Sequence, residues 1–352
     1  MAQTVQEILA AAKKAGASDV HITVGIPPKM RVNGKLITME GERLLPSDTM
    51  EIANSVMNDT QKQRFEDKGE VDMSFAIAGE GRYRVNVYKQ RGSAALAFRL
   101  VDTVVPSPEV LGVPASVIDL YQKKRGLILV TGPTGSGKST TLAAIIDKIN
   151  NNREAHVITL EDPIEYLHQH KQAIVNQREI GLDTQSYANA LRAALREDPD
   201  VILVGEMRDF ETISVAITAA ETGHLVLSTL HTIGAASTVD RVIDVFPPHQ
   251  QQQIRVQLAN VLEAVVSQQL VPMIGGKGRV AAFEVLHTNS AVRNLIREGK
   301  THQITSVMQT NRKVGMMTMD DALCQLYKEY KIDREMALQF AQEPETMKNK
   351  LF

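Results

Sequence analysis

The stretch GPTGSGKST at residues 132–140 constrains this chain more than any other feature. It fits the pattern G-x-x-x-x-G-K-[ST], and it lies between the apolar run GLILV and the helical pattern KSTTLAAIIDKIN. Glycines let a backbone curl around an anion, and the N-terminus of the following helix favours negative charge. The stretch therefore predicts a phosphate-binding loop at a junction between a strand and a helix.

Every residue of this loop is a candidate nucleotide contact. We expect Lys138 to reach the β- and γ-phosphates of ATP and Ser139 to bind Mg²⁺ through its hydroxyl. A glycine-rich turn with an accidental lysine is the alternative, and the flanking strand and helix argue against it. The expected nucleotide-binding residues of the loop are Gly132, Pro133, Thr134, Gly135, Ser136, Gly137, Lys138, Ser139 and Thr140.

The pattern along the chain predicts an α/β core with a separate module before it. Apolar strands such as HVITLED, DVILVGE and HLVLSTL alternate with helical segments, which is typical of a mostly parallel sheet. Short strands and a hairpin indicate a small α+β domain over residues 1–101, where SDTMEIANSVMN predicts a helix with Ser47 as candidate N-cap. We predict a proline-containing linker over 102–114, the core over 115–288 and a helical region over 289–352.

Two strands of the predicted core end in carboxylates. Glu161, Asp162 and Glu165 follow one strand, and Glu206 follows another. In an open α/β sheet the ligand lies beyond the carboxyl ends of the strands, so we expect these acids to line one crevice. Glu206, at the Walker B position, is expected to support the magnesium shell or to polarise the attacking water. Glu165 is the better-placed candidate for the base if Glu206 is occupied with the metal. Salt-bridged acids at strand ends are the alternative.

Two histidines flank a third strand. Six residues separate His224 from His231, about 20 Å when extended, so the two side chains belong at opposite ends of the strand. His231, at the carboxyl end, is expected to sense the γ-phosphate. For His224, a structural role and a functional role stay equally open.

A pair of arginines in the N-terminal module is a candidate source of positive charge for the transition state. Arg82 and Arg84 lie on one face of a predicted strand, because side chains alternate with period 2. An exposed strand face is the plainer interpretation. A phosphate-loop site commonly uses an arginine from another domain or subunit, which makes both residues candidate arginine fingers.

Composition excludes several classes of protein. The 39 basic and 41 acidic residues give a net charge of −2, so no basic field recruits nucleic acid. The single cysteine, Cys324, excludes a four-cysteine zinc module and indicates a reducing cytosol. No run approaches the roughly 18 apolar residues that a membrane-spanning helix needs, so any membrane association is expected to be peripheral.

In chain order, four motifs resemble those of the secretion and pilus traffic ATPases. The phosphate loop, ITLEDPIEY, ILVGEMRD and TGHLVLSTLHT are similar to that family's Walker A motif, Asp box, Walker B motif and His box. The N-terminal stretch SDVHITVGIPPKMRVNGKL is similar to the family's PAS-like domain. The resemblance covers nearly the whole chain. It implies a RecA-like P-loop ATPase core with an N-terminal α+β PAS-like domain and a helical C-terminal region.

Within the family, the resemblance points to the pilus-retraction members. The stretch AVRNLIREGKTHQI resembles a C-terminal helix of that branch, although Val292 replaces an isoleucine of the motif. The basic edge of this helix, Arg293 and Arg297, is expected to contribute to retraction. The absence of a tetracysteine module, and of an extra domain before the PAS-like module, favours the same branch.

The resemblance also implies a setting for the protein. It is expected to be a homohexamer at the cytoplasmic face of the inner membrane that uses ATP and Mg²⁺ to power pilus retraction and twitching motility. The expected partners are the inner-membrane platform protein and, indirectly, the pilin fibre, with no nucleic acid. The alternatives are a related traffic ATPase with an accessory or secretion role and, less favoured by the near-neutral charge, a RecA-like DNA translocase.

Overall fold

The computed structural model describes residues 3–32, 34–77, 81–101, 104–276 and 278–351. Their contacts divide the chain into two compact units, Met1–Thr103 with Glu165–Leu167 and Val104–Ile164 with His168–Phe352. The first two residues of the predicted linker, Asp102 and Thr103, lie outside the described residues. A one-turn helix, Pro108–Leu111, lies within the rest of that segment, with Ser107 as its N-cap.

The first unit is built on a six-stranded antiparallel sheet with the strand order β3-β2-β1-β6-β5-β4. The amphipathic helix α1 buries Val5, Ile8, Leu9 and Ala12 in the same apolar cluster as the sheet, as helical periodicity requires. The elements are α1 (Val5–Lys14), β1 (Asp19–Ile22), β2 (Lys29–Val32), β3 (Lys35–Thr38), α2 (Pro46–Val56), α3 (Asp59–Lys68), β4 (Glu70–Ile77), β5 (Gly81–Gln90) and β6 (Ser93–Val101).

The start of α2 differs from the prediction. The helix begins at Pro46 with Leu45 at the N-cap, so the expectation that Ser47 caps it is wrong. Proline is well suited to the first helical position, because its fixed φ is already helical and its missing N–H has no partner there. The carboxylate of Asp48 accepts a hydrogen bond from the Leu45 N–H at 2.7 Å and thereby supplies the cap.

The second unit contains a seven-stranded sheet with the order β13-β12-β7-β11-β10-β8-β9. All pairs are parallel except β12 with β13. Strands β7, β10 and β11 are buried along their whole length, which explains their continuous apolar sequence. The strands are β7 (Gly126–Thr131), β8 (His156–Glu161), β9 (Ile174–Glu179), β10 (Val201–Val204), β11 (Leu225–Leu230), β12 (Leu262–Pro272) and β13 (Arg279–His287).

Helices accompany this sheet and continue beyond it to the C-terminus. Two apolar clusters take in residues of the sheet strands and of the helices packed on them, and a third joins the hairpin residues Val271 and Ala282 to the last helices. Among the described residues, no helix combines the length and the apolar character needed to cross a bilayer. The helices are α4 (Pro108–Leu111), α5 (Ala115–Ile118), α6 (Lys138–Asn152), α7 (Tyr187–Ala194), α8 (Phe210–Glu221), α9 (Ala235–Asp244), α10 (Pro248–Val261), α11 (Ser290–Arg297), α12 (Ile304–Thr310), α13 (Met319–Lys328), α14 (Arg334–Phe340) and α15 (Pro344–Lys350).

Candidate active site

The phosphate loop follows β7 and bends at three glycines. Gly132, Gly135 and Gly137 have φ values of 140°, 77° and 89°, a region that side chains with a Cβ rarely adopt. Gly132 also lies against the neighbouring strand β12, because a Cβ there would come within 2.1 Å of the Gln268 carbonyl oxygen. Both the curvature of the loop and its close approach to β12 therefore require glycine.

Helix α6 begins at Lys138, directly after the loop. Its N-cap, Gly137, has no side chain that could cap the first turn. The Lys138 ammonium is nearly buried and reaches back across the loop, where it donates to the carbonyl oxygens of Gly132 at 2.8 Å and Pro133 at 3.0 Å. A positive charge and a helix N-terminus thus meet at one place, which suits a bound phosphate.

The acids at the strand ends lie along the same edge of the sheet as the loop. Strands β7, β11, β10 and β8 are parallel neighbours in register, so the residues that follow them emerge side by side. Pairing continues past β10, since Gly205 N–H donates to the Leu160 carbonyl at 2.8 Å and Met207 N–H to the Thr229 carbonyl at 3.1 Å. Glu206 is held between these two backbone contacts.

Glu206 has two basic neighbours within this unit. Its carboxylate accepts from the Arg208 Nε at 2.7 Å and lies 3.5 Å from the His231 Nε2. A cleft of about 360 Å³ opens here, lined in part by Thr232 and Arg241. Glu206 therefore lies at this cleft with its carboxylate paired to the guanidinium of Arg208.

The carboxylates of Glu161, Asp162 and Glu206 all lie near one side chain, the hydroxyl of Tyr187. Burial raises the pKa of the Tyr187 hydroxyl well above its ordinary value. The carboxylates of Glu206, Asp162 and Glu161 act in the same direction, because each disfavours a second negative charge nearby. Glu161 in turn accepts from the Thr159 hydroxyl at 2.6 Å, which fixes its carboxylate at the end of β8.

The two histidines occupy opposite ends of β11. His231 follows the strand at the edge that carries the phosphate loop. His224 precedes the strand at the other edge, where its Nδ1 lies 3.0 Å from the Ala219 carbonyl and 3.2 Å from the Thr222 hydroxyl. Both contacts are with residues close in the chain, and the structural and functional roles predicted for His224 both stay open.

The remaining candidate residues belong to the first unit. Arg82 and Arg84 lie on one face of β5, because Tyr83, Val85 and Val87 alternate with them and are buried. Glu165 belongs to the short segment that is grouped with this unit. Their suggested catalytic roles stay predictions.

Sequence reasoning missed four residues of the second unit. Three lie against the loop or the acids, and the fourth, Arg241, lines the cleft beside Glu206. Tyr187, Gln268 and Arg241 come from elements distant in sequence, so no local pattern could have indicated them. Arg208 lies within the Walker B stretch, two residues after Glu206, and an opposite charge at that spacing was a usable signal.

A glycine loop between a buried strand and a helix, with acids at the ends of parallel neighbour strands, defines a P-loop nucleotide-binding protein of the α/β class. The chain belongs to the type II/IV secretion system protein family, whose family model matches residues 1–346.

Proteins of this family with known names match most of the chain. It is 48% identical over 341 residues to the type IV pilus retractation ATPase PilT of Pseudomonas aeruginosa, covering 97% of this chain and 99% of the relative. It is 49% identical over 320 residues to a twitching motility protein of Neisseria gonorrhoeae, covering 91% and 86%.

A solved structure shares the whole fold. The pilus retraction motor PilT with bound ADP has a TM-score of 0.92 and 50% identity to this chain, with 99% of each chain covered. These similarities confirm the predicted family and the predicted fold class.

Proposed function

We propose that this chain is an ATP-hydrolysing motor that powers the retraction of type IV pili. The observation that carries the proposal is the match, along nearly the full length of both chains, to a relative named as a pilus retractation ATPase. The phosphate loop and the acidic edge of the sheet provide the chemistry that such an activity needs. Retraction of pili would produce twitching motility.

The loop fits the polyphosphate of a nucleotide. Its three left-handed glycines curve the backbone, the uncapped start of α6 lies at its end, and Lys138 supplies a cation held within the loop. Bound phosphates would replace the carbonyl oxygens of Gly132 and Pro133 as partners of the Lys138 ammonium. We propose that residues 132–140 bind the phosphates of ATP in this way.

The same edge fits magnesium only together with a nucleotide. The described residues include no group of three or more His, Cys, Asp or Glu side chains that could hold a metal ion. We propose that the Ser139 hydroxyl binds Mg²⁺ alongside phosphate oxygens and water, with Glu206 in support, which matches the oxygen ligands that Mg²⁺ prefers. When bound, the ion would neutralise charge on the β- and γ-phosphates.

Hydrolysis needs a group that orients the attacking water. We propose Glu206 for this role, because it lies at the edge beside His231 and its carboxylate is partly exposed. Glu165 is the alternative base. His231 would contact the γ-phosphate, and Arg82 and Arg84 would neutralise transition-state charge, from the same chain or from a neighbouring subunit.

The motor itself would be a homohexamer at the cytoplasmic face of the inner membrane. ATP can move one unit of the chain against another only if the open and closed states bind it differently. We propose that closure around ATP in successive subunits drives the inner-membrane platform protein and, through it, removes pilin from the fibre. No nucleic acid takes part.

Deletion of the gene tests the proposal, with complementation by three forms of the protein. Wild type should restore twitching, whereas Lys138→Ala should not. Lys148→Ala is the matched control, because Lys148 lies on the same helix α6, ten residues after Lys138. Hyperpiliated, non-twitching cells are the result expected for the deletion and for Lys138→Ala.

Other outcomes would favour the alternatives. Cells without pili would indicate assembly, and a normal pilus count with a secretion defect would indicate a secretion ATPase. Stimulation of the purified ATPase by DNA, lost as salt rises, would indicate a nucleic-acid translocase.

A further inference from the structure

Three buried polar side chains of the β12–β13 hairpin lie beside the candidate active site. Ser267, Gln268 and Glu284 are 0%, 4% and 4% exposed, and we call them the hairpin cluster. Ser267 and Glu284 are direct partners across the antiparallel ladder. Buried polar groups are costly unless they are hydrogen-bonded, so their partners indicate what they are for.

Gln268 contacts the phosphate loop from the neighbouring strand β12. Its carbonyl oxygen lies against Gly132, and its side-chain Nε2 would be 2.9 Å from a Cβ placed on Gly137. Its Oε1 accepts from the hydroxyl of Thr141, in the first turn of α6, at 2.7 Å. One residue thus contacts the start of the loop, its end and the helix that follows.

Ser267 and Glu284 hold the segment that follows His231, residues 231–235, which we call the histidine loop. The Ser267 hydroxyl accepts from the Gly234 N–H at 3.0 Å. Glu284 accepts from the Ala235 N–H, the first residue of α9, at 2.5 Å. The backbone just after His231 is therefore fixed to the same hairpin as the phosphate loop.

Glu284 also binds the C-terminal helical region. Its second carboxylate oxygen accepts from the Met319 N–H at 3.1 Å and from the Gln342 side-chain amide at 3.0 Å. Asp320 accepts from the backbone N–H of Gln342 at 2.8 Å, which holds the backbone of that residue in place. The histidine loop and the start of α13 thus share one buried carboxylate.

We propose that the hairpin cluster is a positioning element that holds the phosphate loop and the histidine loop at a fixed separation. The inference rests on the proposed function, since it assumes that ATP binds between the two loops. The loops leave adjacent strands, β7 and β11, but the strand ladder fixes only their starting points. Reacting groups must be placed to well under 1 Å, and a buried, hydrogen-bonded cluster supplies that constraint.

Two substitutions of the same kind on neighbouring residues test the role of Gln268. Gln268→Met keeps the length of the side chain but removes its amide, and we expect the KM and Kd for ATP to rise on the order of 10-fold to 100-fold. Gln269→Met is the matched control. Gln269 is also buried, but its amide donates to the Phe340 carbonyl at 3.4 Å, so both constants should stay within about twofold of wild type.

Ser267→Ala tests the link to the histidine loop without a nucleotide. Removal of the hydroxyl should speed hydrogen exchange at the Gly234 amide in the free protein, while exchange in the core strand β11 stays as in wild type. In the same variant kcat should fall more than the KM rises, because His231 is expected to act at the terminal phosphate during the reaction.

The outcomes separate this inference from the proposed function. Equal effects of Gln268→Met and Gln269→Met, or unchanged exchange at Gly234 in Ser267→Ala, would overturn the positioning role while wild type still binds and hydrolyses ATP. A wild type that neither binds nor hydrolyses ATP would overturn the proposed function and this inference together.

Discussion

At the scale of single residues, Gly205 shows how closely the acidic edge is packed. A Cβ at this position would lie 2.9 Å from the Tyr187 hydroxyl oxygen and 3.1 Å from the Leu160 carbonyl oxygen. We expect Gly205→Ala to lower the free energy of unfolding by about 1–3 kcal/mol, because the added methyl group overpacks the site. Denaturant unfolding measures the change.

The double variant Gly205→Ala with Tyr187→Phe tests whether overpacking against the Tyr187 oxygen causes the loss of stability. Loss of the Tyr187 oxygen removes the nearer of the two contacts, so part of the stability should return. If Gly205→Ala unfolds at the same denaturant concentration as wild type, the packing described here is wrong.

Single substitutions also decide whether Glu206 or Glu165 is the catalytic base. We expect Glu206→Gln to lower kcat on the order of 100-fold or more while Mg-ATP still binds, because the amide cannot polarise water. Glu165→Gln should reduce kcat much less. Steady-state kinetics and equilibrium binding of ATP measure both effects, and a larger loss of kcat in Glu165→Gln would assign the base to that residue instead.

Sequence patterns identified the residues whose positions follow from the local backbone structure. The glycines of residues 132–140 and the acids at strand ends follow from a motif and from strand direction, so the sequence alone located them. Tyr187 and Gln268 were not predicted, because each lies at the site only through contacts between residues far apart along the chain. No periodicity or spacing encodes such contacts.

At the scale of elements, α11 is tied to its neighbours by one arginine. The Arg293 guanidinium donates to the carbonyl oxygens of Ala259 and Asn260, both at 2.7 Å, and so caps the last turn of α10. It also contacts Glu263 at 3.2 Å, and Glu263 pairs with Lys123 just before β7. Arg293 therefore has a structural role within the unit, whatever it contributes to retraction.

We expect Arg293→Glu to lower the free energy of unfolding by about 1–3 kcal/mol, because it removes charge-assisted hydrogen bonds and faces Glu263 with a like charge. Arg297→Glu is the matched control on the same helix. In the described part of the chain the Arg297 guanidinium hydrogen-bonds only to the side chains of Asn260 and Asn294, so its loss should cost less than about 1 kcal/mol. Equal destabilisation in both variants would contradict the capping role.

The elements themselves were predicted unevenly. Helix α1 and strands β7, β8, β10 and β11 follow from strong periodicity or from continuous apolar runs. The β12–β13 hairpin was not predicted as part of the sheet, because buried polar residues such as Gln268, Gln269 and Glu284 interrupt its apolar pattern. Gln268 and Glu284 are two of the residues that we propose hold the loops, so the apolar pattern fails where the structure carries a second task.

At the scale of the whole molecule, two partly buried histidines make stability depend on pH. Burial lowers the pKa of His168 and of His287 below the ordinary value of 6.5. The unfolded chain then binds more protons than the folded one as the pH falls below 6.5, so their stabilising contribution is present above that pH and lost below it.

We expect the free energy of unfolding of wild type to decrease from pH 6.5 downwards, and the double variant His168→Gln/His287→Gln to show a shallower decrease. The matched control replaces two exposed histidines, His249 and His302, and should keep the slope of wild type. Denaturant unfolding at a series of pH values gives the slopes. Identical slopes for the two double variants would contradict this account.

We expect the protein to hold the terminal phosphate of ATP at Lys138 of the phosphate loop. The most direct test is equilibrium binding of ATP and release of phosphate by purified wild type, Lys138→Ala and Lys148→Ala. We expect wild type and Lys148→Ala to bind and hydrolyse ATP alike, and Lys138→Ala to lose hydrolysis on the order of 100-fold or more. Hydrolysis by Lys138→Ala at the rate of wild type would contradict the claim.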